Sequence, residues 1–182
     1  MNDWRHCIIC HVDLIGIKDK ANIESKISMN KMLTFHALAK SQIASMPRHE
    51  HVYTWNDSAA FVSYPNGHSN DYRQISKELC DFLNEAEKIC RCYAVMVKGK
   101  AFPAPLHTPR QTAKYTFLTL SSWAFANCFK IEKELGTNRK RMYVDGRIVR
   151  AGKLKPGDKI ETITMYPKYY ARDIHMYNGN II

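Results

Sequence analysis

Two periodicities alternate along this chain. From His6 to about Ile15 the residues are apolar and rich in Ile and Val, and Gly16 closes the run, which predicts a buried strand. Between about Ser25 and Ser45 the apolar positions Ile27, Met32, Leu33, Phe35, Leu38 and Ile43 recur at helical spacing, and Pro47 ends them. His51 to Tyr64 holds two β-rich runs, VYTW and AAFVSY, separated by the turn formers Asn56-Asp57-Ser58, which reads as a hairpin. A second helix is predicted from about Tyr72 to Ile89, with Ile75, Leu79, Leu83 and Ala86 on one face and Asn70 or Asp71 as its cap. Cys92 to Val97 then forms a compact apolar strand.

The later pattern is less regular. Phe102 to Thr112 is rich in Pro and basic residues and predicts a loop or projecting arm. The strand-like YTFLTL runs into SSWAFANCFKIEKELG, a helix capped by Ser121 or Ser122 and stopped by Gly136. MYVDGRIV reads as a short strand, and KLKPGDKIETITMY as a hairpin around Pro156-Gly157-Asp158. The residues from Pro167 onward carry no assignable pattern. The order strand, helix, hairpin, helix, strand specifies an α+β chain with a ferredoxin-like βαββαβ antiparallel sheet and helices on one face. A single domain is expected over residues 1–182, with its core at about 6–150 and a C-terminal extension at about 151–182.

Composition adds three constraints. The chain is 45% hydrophobic and 24% charged, which suits a folded domain and not a disordered one. Its formal charge of +10 draws polyanions such as nucleotides. No apolar stretch is long enough for a membrane span and MNDWRH lacks signal-peptide organisation, so a cytoplasmic location and no membrane partner are expected. The six cysteines lie mostly in apolar segments, as reduced core thiols do. Cys7 and Cys10 have a zinc-like spacing, but residues three apart on a strand point to opposite faces.

Asp13 is the one carboxylate in the first apolar strand. A buried carboxylate costs several kcal/mol, roughly, unless something compensates it, so Asp13 is either a strand-end surface residue or a ligand with a partner. In a ferredoxin-like order the first strand neighbours the hairpin, and Asp57 at its turn approaches Asp13. Two carboxylates at one sheet end suit magnesium or manganese, which take few carboxylates and fill the rest with water and phosphate.

These residues carry a resemblance. VDLIGIK (Val12 to Lys18) resembles the first metal motif of class III nucleotide cyclases, and VYTWNDSAAFVSY resembles their second, with Asp57 on its Asp. YAVMVKG is similar to their Arg-X-Gly-Ile-X-X-Gly strand, and SSWAFANCFKIEKELG to their Asn-and-Arg helix, with Lys130 on the Arg. MYVDGRIV falls where they have a further strand, so the likeness is collinear from about residue 6 to 150. Asn56 stands on a Gly, Tyr93 on the strand Arg, and Ala126 on the helical Asn, which Asn127 matches with a one-residue shift. Tyr53 stands on the purine-selecting Lys, and an aromatic there resembles the bacterial pyrimidine cyclases of antiphage signalling.

The resemblance implies a homodimeric enzyme that converts UTP or CTP to a 3′,5′-cyclic monophosphate and pyrophosphate with two Mg or Mn ions. It places those ions on Asp13, Asp57 and the Leu14 carbonyl. It puts Leu14, Ile15, Gly16, Tyr53, Trp55 and Asn127 at the nucleotide, and Lys130 from a partner subunit at the transition state. Tyr53 and Trp55 alternate onto one strand face with Asp57, so they either line a pocket or pack under a helix. Two other readings stand beside this one: a catalytically silent cyclase-fold module that binds nucleotide or a partner, and a nucleic-acid binder built on NRKRMY and YPKYYAR, which is the weakest.

Overall fold

Alternation along the first strand sorts its side chains between two cores. The structure, a computed structural model, describes residues 5–17, 26–104, 119–135, 141–155, 159–165 and 170–176. Strand β1 is Arg5–Leu14, and its Ile8, Cys10, Val12 and Leu14 enter one core while Cys7 and Ile9 enter the other. Cys7 and Cys10 therefore lie on opposite faces of the sheet, and all six cysteines are free thiols. Burial raises the Cys7 and Cys80 thiols to about 11 and Cys92 to about 12, which keeps them protonated.

The elements that follow are α1 (Lys26–Gln42), β2 (His51–Trp55), β3 (Ser58–Ser63), α2 (Ser69–Glu87) and β4 (Cys92–Ala104). Next come β5 (Thr119–Ser122), α3 (Trp123–Glu134), β6 (Met142–Asp145), α4 (Gly146–Gly152), β7 (Lys159–Met165) and β8 (Tyr170–Met176). Among the described residues the strands form one eight-stranded sheet, ordered β2-β3-β1-β4-β6-β8-β7, with β5 paired to β4. The βαββαβ order is present, and β1 lies between β3 and β4, antiparallel to both. The sheet is mixed beyond that core, because β6 runs parallel to β4.

The two core helices share one face, as that order implies. Phe35 and Ala39 of α1, Ile75, Leu79 and Leu83 of α2 and Ile148 of α4 all pack into a single cluster. Helix α3 covers the opposite face through Ala124, Cys128 and Ile131. Its approach requires Gly99 on β4, where an added Cβ would sit 2.7 Å from the Ala124 Cβ.

Several local expectations are corrected. Ile27 and Leu33 of α1 face outward, because the buried stripe runs through Ser28, Phe35 and Ala39. Asp71 does not cap α2; it lies in the first turn, accepts from the Asn66 N–H at 3.0 Å and pairs with Arg48 at 3.0 Å. Strand β4 continues through Phe102–Ala104 where a loop was expected, since β5 pairs there; residues 105–118 lie outside the described residues. Ser122 is the α3 cap, accepting from the Ala124 and Phe125 N–H groups. The expected Gly136 stop is outside the described residues.

The strand in MYVDGRIV ends at Asp145, whose carboxylate caps the Arg147 N–H at 2.9 Å and starts α4. The hairpin expected around Pro156-Gly157-Asp158 is replaced by one between β7 and the C-terminal β8, so the unassigned tail supplies a strand. Residues 156–158 themselves are outside the described set.

Two stability outcomes follow from this packing. Gly99→Ala should destabilise by about 1–3 kcal/mol through overpacking. In urea titrations the double variant with Ala124→Gly should lose less than the sum of the singles, and strict additivity would rule out the contact. Buried His49 faces the Ile75 carbonyl through Nε2 at 3.3 Å and Ser63 through Nδ1 at 2.8 Å, and burial lowers it to about 4. Between about pH 6.5 and 4 the unfolded chain takes a proton that the folded chain refuses, so stability should fall with pH, by at most roughly 3 kcal/mol. Glu78, 3.8 Å from His49 and raised by burial, blunts the fall at the low end. His49→Gln should flatten this slope in thermal melts taken across that range; an unchanged slope places the acid sensitivity elsewhere.

Candidate active site

Strand register brings the backbones of the two predicted acids together. Asp13 is directly opposite Ser58 on β3, and the Leu14 N–H donates to the Asp57 carbonyl at 3.0 Å. Asp57 therefore sits at the β2–β3 turn beside the end of β1. Both acids are buried, at 5% and 1% exposure. Burial on this scale demands compensation, and two neutral hydroxyls supply part of it for Asp13. Ser58 Oγ donates to Oδ1 at 2.5 Å and Tyr93 Oη to Oδ2 at 3.2 Å.

Asn56 sets the turn with φ of 44°, in the left-handed region. Gly adopts that conformation freely, and Asn is among the few other residues that tolerate it. Gly16 just after β1 also has positive φ, 81°, so the chain turns sharply beyond the Leu14 and Ile15 backbone. The Ile15 N–H donates to the Arg91 carbonyl at 2.7 Å and its carbonyl accepts from the Cys90 thiol. The Leu14 side chain packs into the α1–α2 core, so only its backbone belongs to the site.

A cavity of about 320 Å³ borders Asp57 between the turn and α1, where Met29, Met32, Leu33 and His36 line it. It gives a buried carboxylate an open neighbour. Burial lowers the basicity of His36, and the nearby Asn56 backbone offsets part of that.

On the other face, alternation in β1 puts His11 on the same side as Asp13. His11 is buried, stacks on Trp55 at 5.5 Å, lies 4.8 Å from the Phe129 ring and has Nδ1 3.4 Å from Glu132 Oε2. Phe125 closes the group with its edge against Trp55 at 5.4 Å. This box joins the strand bearing Asp13, the hairpin bearing Asp57 and helix α3. Trp55 is thus packed under the helix, and Tyr53 is half-buried on the same face. On α3 itself Asn127 is buried, whereas Ala126 and Lys130 are exposed.

The donor set fits a hard divalent cation. Two buried carboxylates supply oxygen only, the donor type such a cation takes, and among the described residues no cluster of three or more His, Cys, Asp and Glu forms. That leaves positions for water and phosphate, as magnesium and manganese prefer.

No protein-family model and no curated protein sequence matches the chain. Solved structures do. A bacterial light-regulated adenylyl cyclase is similar over 97% of this chain and 91% of its own, with a TM-score of 0.69 and 9% identity. The adenylyl cyclase CyaB from P. aeruginosa is similar over 94% of this chain and 93% of its own, at TM-score 0.69 and 7% identity. The guanylyl cyclase Cya2 is similar over 95% and 91%, at TM-score 0.62 and 11% identity. The chain has the nucleotide-cyclase fold.

Within that cyclase fold, the Asn56 turn and the approach of the hairpin to the end of β1 are as the sequence order implies. Sequence reasoning missed Ser58 and Tyr93 as partners of Asp13, and the His11–Glu132 contact. The available signal was register: once β1 is centred between β3 and β4, the residues opposite Asp13 follow.

The backbone at the turn makes a direct forecast. Asn56→Gly should leave stability unchanged or slightly improved, while Asn56→Val should cost about 1–2 kcal/mol because a β-branched residue resists positive φ. Thermal unfolding of the two variants checks this, and equal effects would contradict it.

Proposed function

We propose that this chain is a nucleotidyl cyclase that acts on a pyrimidine nucleoside triphosphate, UTP or CTP, and serves antiphage second-messenger signalling. The observation that carries the reading is the buried pair Asp13 and Asp57, joined through the Leu14–Asp57 backbone bond at one sheet end of a cyclase fold. Asp13, Asp57 and the Leu14 carbonyl are the residues to hold two Mg or Mn ions. When bound, such ions raise the acidity of the ribose hydroxyl and neutralise triphosphate charge.

In the reaction the ribose 3′-oxygen attacks the α-phosphorus, the bond from that phosphorus to the bridging oxygen breaks, pyrophosphate leaves and the hydroxyl proton passes to water. In this reading the phosphates meet the backbone at the positive-φ turn of Gly16, and Ile15, bonded through its N–H to Arg91 and through its carbonyl to Cys90, holds that turn in place. Tyr53 is the better candidate of the two aromatics for stacking on a small base, because Trp55 already has His11 on its face. Asn127, buried on α3, is the residue this reading assigns to nucleotide contact, following the one-residue-shifted match. In this reading Lys130, exposed on α3, serves a partner subunit's site, where an ammonium stabilises charge as a point cation instead of a planar fork.

A homodimer is part of this reading, and Trp123 on α3, together with Phe129 at the rim of the aromatic box, leaves exposed apolar surface of the kind that interfaces bury. No helix among the described residues is long and apolar enough to cross a membrane. A silent nucleotide-binding module is the second reading. The observation favouring it is that Trp55 and α3 close a packed aromatic box on the catalytic face.

Incubation with manganese and each of the four nucleoside triphosphates, read by chromatography, decides between them. UTP or CTP should yield a cyclic monophosphate, and Asp13→Asn or Asp57→Asn should lower the rate by at least about 100-fold. Binding without product in every metal and pH condition supports the silent module. Tyr53→Lys should shift relative turnover toward purines; an unchanged UTP-to-ATP ratio removes Tyr53 from base selection.

A further inference from the structure

The residue that departs most from the cyclase pattern beside the metal pair is Tyr93, which takes the place of a strand Arg. The structure gives it a task. Asp13 is opposite Ser58 on one neighbouring strand and opposite Tyr93 on the other, and each donates its hydroxyl to a different carboxylate oxygen. All three side chains are buried. We propose that Ser58 and Tyr93 are positioning residues that clamp the Asp13 carboxylate from both flanking strands and orient it toward divalent cations; this rests on the reading of Asp13 as a metal carboxylate.

The chemistry favours hydroxyls for this role. A hydroxyl from a different strand reaches each carboxylate oxygen, so the group cannot rotate without breaking one of the two bonds. A neutral donor fixes the plane of the carboxylate while leaving its charge in place. Partners of this kind, one step removed from the ion, commonly matter by about 10-fold to 100-fold in metal affinity.

The test titrates the full chain with manganese alone, without nucleotide, following free Mn²⁺ by electron paramagnetic resonance. Tyr93→Phe and Ser58→Ala each remove a donor while keeping most of the packing, and each should weaken Mn²⁺ binding by about 10-fold. In the cyclase assay both variants should need more manganese for half-maximal rate at an unchanged nucleotide KM, which a merely structural role for the hydroxyls would not produce. Should Tyr93→Phe fail to fold, Ser58→Ala carries the measurement. If Asp13→Asn abolishes Mn²⁺ binding while both hydroxyl variants bind as the parent does, the clamp is wrong and the metal reading survives. If the parent binds no Mn²⁺, or Asp13→Asn binds it equally well, the metal reading fails and the clamp fails with it.

Discussion

The register of β1 against its two neighbours is the constraint on which everything else depends. A one-residue slip would turn His11 and Asp13 into the α1–α2 core and expel Val12 and Leu14 from it. The slip is forbidden by burial: Ile8, Cys10, Val12 and Leu14 fill one core while Cys7 and Ile9 fill the other. Because both faces of β1 are covered, the hydrophobic pattern fixes which face Asp13 occupies. The hydroxyls of Ser58 and Tyr93 then make that placement tolerable for a carboxylate.

The same register organises the surroundings. It sets the Leu14 N–H on the Asp57 carbonyl, so the hairpin turn is tied to the end of β1 by backbone and not by side-chain chance. It also puts His11 under Trp55 and α3, where Glu132 meets its ring. Gly99 lets α3 approach β4 closely enough for that contact. Asp13, the hairpin bearing Asp57 and the helix carrying Asn127 and Lys130 are therefore joined around the aromatic box.

Much of this was legible in the sequence, for identifiable reasons. β1, the β2–β3 hairpin and α2 have strong periods, and the pairing of β1 with the hairpin follows from their order. Asn56 before Asp57 was readable as a turn because Asn tolerates left-handed backbone. GRIV was not readable as a helix, since a β-branched pair such as Ile148-Val149 suits either state; the Asp145 cap on the Arg147 N–H and left-handed Lys153 at the end decide it. Ile27 and Leu33 joined the helical pattern by composition alone, and only tertiary packing shows them outside. The partnership of Tyr93 with Asp13 spans 80 positions, beyond any local pattern, and at the level of family likeness Tyr93 counted only as a departure.

The central claim is that Asp13 and Asp57 act on one metal site. Anomalous diffraction from crystals grown with manganese and a non-hydrolysable pyrimidine triphosphate tests it most directly. The account predicts anomalous density at coordination distance from both carboxylates; density on one carboxylate alone, or elsewhere with the nucleotide bound, would contradict it.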